Sequence, residues 1–354
     1  MNELRVWACG CCHVHSDLKH GRRSLAEAIE QSESGGTEGG PPFEWDVMLN
    51  LGDLSGTQGP PTDADGPPVV EQLRAGRKHG IERIYCLLGN HDASGPEEET
   101  QWWFRKWIDP TGLNPGFSGI RAQARPYPVS GTWERYAFTA GNVRFLMLGD
   151  RNDGGPPKGR GVHGGYPAGA ITTETFDWWR REVEANQDRI IVTCAHHMLR
   201  DTTTASGPWE GVNGNYHHPY EDAEGASYLY WVGDDANTEA FHRYFEANPR
   251  AIDLWLGSHT HAHPDDRFGN KSMTETRWGV TFCNVGAMTR YHGREHRRWW
   301  PSSRLLTFRE GAAEARVQCY LHTSHYSRQG WYPPAERAVA LRRAFMPEPV
   351  PGAG

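Results

Sequence analysis

The sequence predicts an α/β protein of two mixed β-sheets flanked by helices. Three observations predict it: short apolar runs of strand length recur along the chain, helical patterns separate the first of them, and five runs stop at His, Asp or Asn. Groups placed where a strand ends are held by a rigid scaffold yet face a crevice. Open α/β sheets put their ligand sites there.

The run 6–9 leads into Cys12-His13-Val14-His15-Ser16-Asp17. A helix starts at Ser24, which with Glu27 three residues on has the spacing of a capping box. After a Gly-rich loop over 34–42, the run 47–51 ends in Gly52-Asp53. A Gly/Pro loop and a helix over 69–79 then lead to the run 81–88, which ends in Leu87-Leu88-Gly89-Asn90-His91-Asp92. This β-loop-α-β-α-β order implies parallel strands with helical crossovers.

The middle of the chain changes character. A helix over 96–109 carries Trp102, Trp103 and Trp107, 112–128 reads as loop, and 136–148 reads as a hairpin turning at Gly141-Asn142. A long Gly/Pro loop over 149–169 precedes a helix over 172–186 and the run 190–194, which ends in Ala195-His196-His197. A polar and aromatic insertion over 199–235 and a helix over 237–248 precede the run 252–256, which ends in Gly257-Ser258-His259-Thr260-His261. Loops of such length are usually functional or mobile. A strand over 278–285, a hairpin of 304–308 with 315–321 about Gly311, and a tail with one short helix complete the chain. No repeat or linker divides it, so we expect a single domain over 1–325, insertions near 150–170 and 200–235, and a tail over 326–354.

Composition narrows the function. Among 354 residues, 37% are hydrophobic and 41 are glycine, so loops are many, and 15 tryptophans supply much of the burial. No stretch of about 18 apolar residues exists, which excludes a membrane-spanning helix. The start, Met1-Asn2-Glu3-Leu4-Arg5, runs straight into a strand without a signal-peptide pattern, and seven cysteines, an odd number, suit a reduced compartment. Both features point to the cytoplasm. Cys12, beside His13, is a candidate metal contact against a plain packing role. A net charge of −7 disfavours nucleic acid and favours a small soluble substrate, and it leaves oligomerisation open.

The five strand ends together could supply two or more metal ions with nitrogen and oxygen ligands. In order, Gly52-Asp53, Gly89-Asn90-His91-Asp92, His196 and Gly257-Ser258-His259-Thr260-His261 resemble the calcineurin-like metallophosphoesterase superfamily, whose blocks are Asp-x-His, Gly-Asp, Gly-Asn-His-Asp/Glu, His and Gly-His-x-His. Cys283-Asn284-Val285-Gly286 resembles its Asn-x-Gly segment, and the likeness spans roughly residues 5 to 290. The resemblance implies a four-layer αββα sandwich, a two-metal site holding Mn, Fe or Zn, and hydrolysis of a phosphodiester or phosphomonoester by a metal-bridging hydroxide. On this resemblance Asp53 bridges the ions; Asn90, His196 and His259 complete one shell, and His15 and His261 serve the other. His91 stands beside the phosphate and assists the leaving group, with Asp92 orienting it.

The first block departs from the pattern. It reads His13-Val14-His15, placing a neutral nitrogen where the family has a carboxylate and raising the charge of that metal site by one. Imidazole suits zinc or iron better than magnesium. Asp17 is a candidate substitute, although it lies two residues beyond His15. The same segment also resembles the opening motif of the PHP phosphoesterases, a family to which the Gly-Asn-His-Asp block does not belong.

Further residues are candidates for the mouth of the site. His197 adjoins a ligand but points to the other side of an extended chain, so it either supports that ligand or, with His217 and Arg290, touches substrate. His218 and His263 could line the entrance or be solvated, and the mixture of Arg with Tyr, His and Trp over 290–300 could hold a nucleic-acid strand or a nucleotide base or form a salt-bridged surface strip. A second reading is a catalytically weak metal-binding protein of the same fold that binds a partner through its aromatic loops. Retention of His91, a histidine that is not a ligand in the family, favours the enzyme.

Overall fold

The computed structural model describes residues 2–57, 59–95, 98–151, 169–207, 227–267, 269–289 and 301–347. The strands are β1 (Glu3–Cys9), β2 (Val47–Asn50), β3 (Ile84–Cys86), β4 (Ser130–Gly131), β5 (Arg135–Ala140), β6 (Val143–Leu148), β7 (Ala170–Ile171), β8 (Ile190–Ala195), β9 (Trp231–Val232), β10 (Asp235–Ala236), β11 (Leu254–Gly257), β12 (Thr274–Arg277), β13 (Val280–Asn284), β14 (Ser302–Arg309), β15 (Glu314–Leu321), β16 (Gly330–Trp331) and β17 (Arg337–Ala340). The α-helices are α1 (Val14–Lys19), α2 (Ser24–Ser34), α3 (Gly66–Leu73), α4 (Pro115–Ser118), α5 (Thr173–Ala185) and α6 (Glu239–Ala247).

Two seven-stranded sheets organise the chain, in the orders β16-β15-β14-β1-β2-β3, with β17 on β15, and β12-β13-β11-β8-β6-β5-β4. Both are mixed. Strands β1, β2 and β3 run parallel, as do β6, β8, β11 and β13, while the hairpin strands at the edges pair antiparallel. The small third sheet is β10-β9-β7.

Strand periodicity explains the layering. Along β1, Val6 and Ala8 face one apolar cluster and Trp7 and Cys9 another; along β11, Leu254 and Leu256 face the first of these and Trp255 a third. Successive side chains of a strand point to opposite faces, so a run that is apolar throughout needs cover on both. The shared cluster lies between the sheets and includes Leu49, Phe138, Phe145 and Val192. Leu25, Ile29, Val69 and Leu73 of α2 and α3 cover the outside of the first sheet, and Trp179, Val183, Phe241 and Phe245 of α5 and α6 cover the second. The result is the expected αββα sandwich.

Several boundaries differ from expectation. Helix α2 has Arg23 rather than Ser24 at its N-cap and no side-chain cap, whereas Thr62 and Asp65 form a capping box. Helix α3 stops at Leu73, because the backbone N–H groups of Arg77, Lys78 and His79 donate to the Glu33 carboxylate at 2.8 to 3.0 Å instead of continuing the helix. The run 81–88 is a 3₁₀ turn (Ile81–Arg83) followed by the short strand β3. Of the helix expected over 96–109, the described residues 98–109 contain a π-helical stretch, Phe104–Ile108, and 112–128 contains α4. The tail contributes a 3₁₀ turn and β17, whose Val339 joins the cluster between the sheets.

Candidate metal centre

The parallel strands of both sheets end at one edge, and the turns after them carry the donors. Cys11, His13, Asp53, His259 and His261 all have φ between 43° and 58°, the left-handed region that non-glycine residues seldom adopt. Such conformations cost about 1 to 3 kcal/mol each and persist where the surrounding structure imposes them, often at functional sites. Two loops also meet backbone to backbone. A Cβ on Gly89 would lie 2.3 Å from the Asp53 backbone nitrogen and 2.3 Å from its Oδ1, so only glycine allows this approach.

Asp53 sits at the centre. Its Oδ2 is 3.1 Å from His196 Nε2 and 3.6 Å from His13 Nε2. On one side His13 Nε2 lies 3.1 Å from His261 Nε2. On the other, His196 Nε2 lies 3.1 Å from Asn90 Oδ1 and 3.2 Å from His259 Nδ1. Donor atoms fall within 4.8 Å of one another in the groups Cys11–His13–His261, Cys11–Asp53–His196, His13–Asp53–His91 and His196–His197–His259. All of these side chains are buried.

Neighbouring groups fix how the rings present themselves. His196 Nδ1 donates to the Leu51 carbonyl at 2.5 Å, which turns Nε2 towards Asp53. His91 Nδ1 donates to the Thr57 carbonyl at 2.6 Å, its backbone N–H donates to Asp53 Oδ1 at 2.8 Å, and its ring stands edge-on to His13 at 4.8 Å. Asp92 does not orient that ring. Its carboxylate accepts from the backbone N–H groups of Leu54, Ser55 and Gly89 at 2.8, 2.8 and 3.0 Å, stapling the Gly52 loop to the Gly89 loop. Asn284 braces the last loop likewise, donating to Thr260 Oγ1 at 2.6 Å.

One expected ligand lies elsewhere, and two open alternatives are decided by the geometry. His15 is outside the donor groups: the chain turns into α1 after His13, and His15 Nδ1 lies 2.6 Å from Asp65 Oδ1 with its side chain 35% exposed. Asp17 is outside the donor groups as well, and Arg22 and Thr289 hold its Oδ1. Cys12 takes the packing role, accepting from Asn50 Nδ2 at 3.1 Å within an apolar cluster, while its neighbour Cys11 enters the donor group.

His197 is wholly buried. Its Nδ1 pairs with the Asp150 carboxylate, its ring packs on His259 at 3.8 Å, and its Nε2 has no hydrogen-bond partner among the described residues. Asp150 follows β6 and was missed. The signal was present, since β6 also ends in a glycine and a carboxylate, Gly149-Asp150. His263 is buried edge-on against Tyr326. His217, His218, Arg290 and the rest of 290–300 lie outside the described residues.

Electrostatics follow from crowding. Burial and the surrounding imidazoles compete at Asp53, and His196, His91 and His13 win, holding the carboxyl well below its usual range. Burial holds His13 well below its ordinary value against the pull of Asp53, so its nitrogens are neutral donors. Burial also opposes protonation of His196, but the Asp53 charge and hydrogen bond outweigh it and lift this group to about 9. Burial and the nearby Asp53 push Asp92 up to about 7. The Cys11 thiol is raised by burial and then by Asp53.

An αββα sandwich with His, Asp and Asn donors gathered at its strand ends defines the metallophosphoesterase class of protein. The family model for calcineurin-like phosphoesterases matches residues 4–263, and the chain belongs to that family. Curated proteins give no match. Among solved structures, a dimetal phosphatase from Danio rerio is 9% identical over 95% of this chain and 98% of its own, with a TM-score of 0.49. A 5'-nucleotidase assignment from Staphylococcus aureus is 12% identical over 96% of this chain and 54% of its own, TM-score 0.42. Vps29 from Chaetomium thermophilum is 11% identical over 99% of this chain and all of its own, TM-score 0.34. Likenesses this distant assign no residue and no substrate.

Proposed function

We propose that this protein hydrolyses a phosphodiester or phosphomonoester with the help of two metal ions held on either side of Asp53. The observation that carries this reading is the position of Asp53 Oδ2, 3.1 Å from His196 Nε2 and 3.6 Å from His13 Nε2, with a further set of donors behind each nitrogen. Asn90, His196 and His259 would hold one ion and His13 and His261 the other, with Asp53 shared. The donor set fits such ions: it is buried, rich in nitrogen and includes a carboxylate that stays ionised, which suits zinc, iron or manganese. The partnerless Nε2 of buried His197 fits as well, since a polar atom left without a protein partner calls for an explanation. Bound there, the cations would clamp the phosphate oxygens, neutralise the ester's charge and lower the pKa of a water towards neutrality.

The chain's own residues do the rest. Asp53 holds the two donor sets together, and its Oδ1 is fixed by the His91 backbone N–H. With Nδ1–H committed to the Thr57 carbonyl, Nε2 is the atom through which His91 would hand a proton to the departing oxygen as the P–O bond breaks. No helix of the described residues is long and apolar enough to cross a membrane, and the net charge of −7 favours a small phosphorylated substrate over a nucleic acid. Seven buried free thiols suit the reducing cytoplasm.

Elemental analysis combined with hydrolysis of a bis(aryl) phosphodiester and the matching monoester tests the reading. About two transition-metal or zinc ions per chain are expected, with activity that falls about 10²- to 10⁴-fold in His91→Ala at unchanged metal content. A metal-loaded chain inert towards both esters would instead favour a partner-binding role, and one ion or none would remove the binuclear site.

A further inference from the structure

We infer that Cys11 is a sulfur ligand of the ion held by His13 and His261, so that Cys11-x-His13, and not His13-x-His15, forms the first metal-binding block. The inference rests on the metal-dependent reading above and adds a ligand of a different chemical class. Cys11 Sγ lies within 4.8 Å of the donor nitrogens of His13 and His261 and, in a second group, of Asp53 and His196. The other six cysteines belong to the apolar clusters: Cys9, Cys12 and Cys86 in one, Cys194 and Cys283 in another, Cys319 in a third. Cys11, equally buried, belongs to none of them.

Its surroundings are polar. Ser258 Oγ is 3.0 Å from Cys11 Sγ and 2.8 Å from the Gly286 carbonyl, so its hydroxyl can turn from the carbonyl to a thiolate without moving the side chain. A hydrogen bond of this kind orients and tunes a ligating group. Two further observations bear on the donor cluster as a whole. The left-handed backbone at Cys11 brings its side chain into the donor group, and the buried, partnerless His197 Nε2 indicates a centre whose partners are not all protein atoms.

Charge and softness follow. A thiolate carries the negative charge that a first block of two histidines would lack, which restores the balance of that metal site. Together Cys11, His13, His261 and Asp53 offer one sulfur, two nitrogens and one oxygen, a four-donor set that suits zinc. The coordinate bond forms as the thiol releases its proton to solvent, with no change in oxidation state. Sulfur selects thiophilic ions such as Zn²⁺, Co²⁺ or Fe²⁺ over Mg²⁺ and Mn²⁺.

The test is spectroscopic and uses the full chain. Loaded with Co²⁺, the wild type is expected to show a near-ultraviolet sulfur-to-cobalt charge-transfer band that Cys11→Ser loses and Cys12→Ser keeps. X-ray absorption of the Zn²⁺-loaded wild type is expected to show one sulfur scatterer at about 2.3 Å, which keeps the test independent of how any variant folds. Cobalt bound without the band, a band that survives Cys11→Ser, or a zinc shell without sulfur would overturn the assignment while leaving a metal-dependent site intact. Failure of the wild type to bind either ion would overturn both readings together.

Discussion

His13 and His15 are separated by one residue, and the structure sends them to different places. His13 still belongs to the turn after β1 and points Nε2 at His261 and Asp53, whereas His15 lies inside α1 and pairs with Asp65. A helix turns each successive side chain by about 100°, so crossing a helix start between two residues is enough to separate their directions. His13→Ala is therefore expected to lose about one ion per chain and most activity. His15→Ala should keep both ions and nearly all activity, measured by elemental analysis and ester hydrolysis. An equal loss from the two variants would show that His15 reaches the ions after all.

The turns that carry these residues act as paired elements. The Gly52-Asp53 turn and the Gly89-Asn90-His91-Asp92 turn touch through glycine, and Asp92 ties them with three backbone hydrogen bonds. Each strand only has to be buried on both faces; its neighbours then set the height at which its polar end emerges. Gly89→Ala forces a methyl group against the Asp53 backbone and carboxylate. We expect it to destabilise the protein by about 1 to 3 kcal/mol and to weaken metal binding, because the relief of that clash moves Asp53. Thermal unfolding with and without added Zn²⁺ separates the two effects. A variant with wild-type stability and wild-type stabilisation by the metal would mean that the loops can part freely.

The two sheets and their covering helices bury titratable groups outside the donor cluster as well. His322 is wholly buried with Nδ1 2.9 Å from Gln31 Oε1 and Nε2 2.9 Å from Ser303 Oγ, and burial lowers it to about 3. His242 is lowered to about 4, by burial first and then by the charges of Arg277 and Arg200. An unfolded histidine titrates near 6.5, so below that pH the unfolded chain binds protons that the folded chain refuses. Stability is therefore full above about pH 6.5 and is lost as the pH falls towards the folded values, by about 2 kcal/mol per such histidine at pH 5. Urea unfolding should show this decline, and His322→Gln should flatten it. A slope unchanged in the variant would mean that His322 takes up its proton without unfolding.

Most of the architecture was legible because strand burial is periodic and local. Apolar runs with polar ends marked β1, β2, β8 and β11 and the side chains of Asp53, Asn90, His91, His196, His259 and His261 that the structure gathers behind them. Boundaries were read less well where a distant side chain took over a backbone group, as Glu33 does at the end of α3. Sequence by itself determined the fold class, the family and which residue types could bind a cation. Only the tertiary structure decided that Cys11 rather than Cys12 joins the site, that His15 leaves it, that Asp92 staples loops, and that Asp150 holds His197. Those outcomes depend on where a turn passes into a helix and on which residues of two separate sheets meet, and neither is encoded by the spacing of neighbours along the chain.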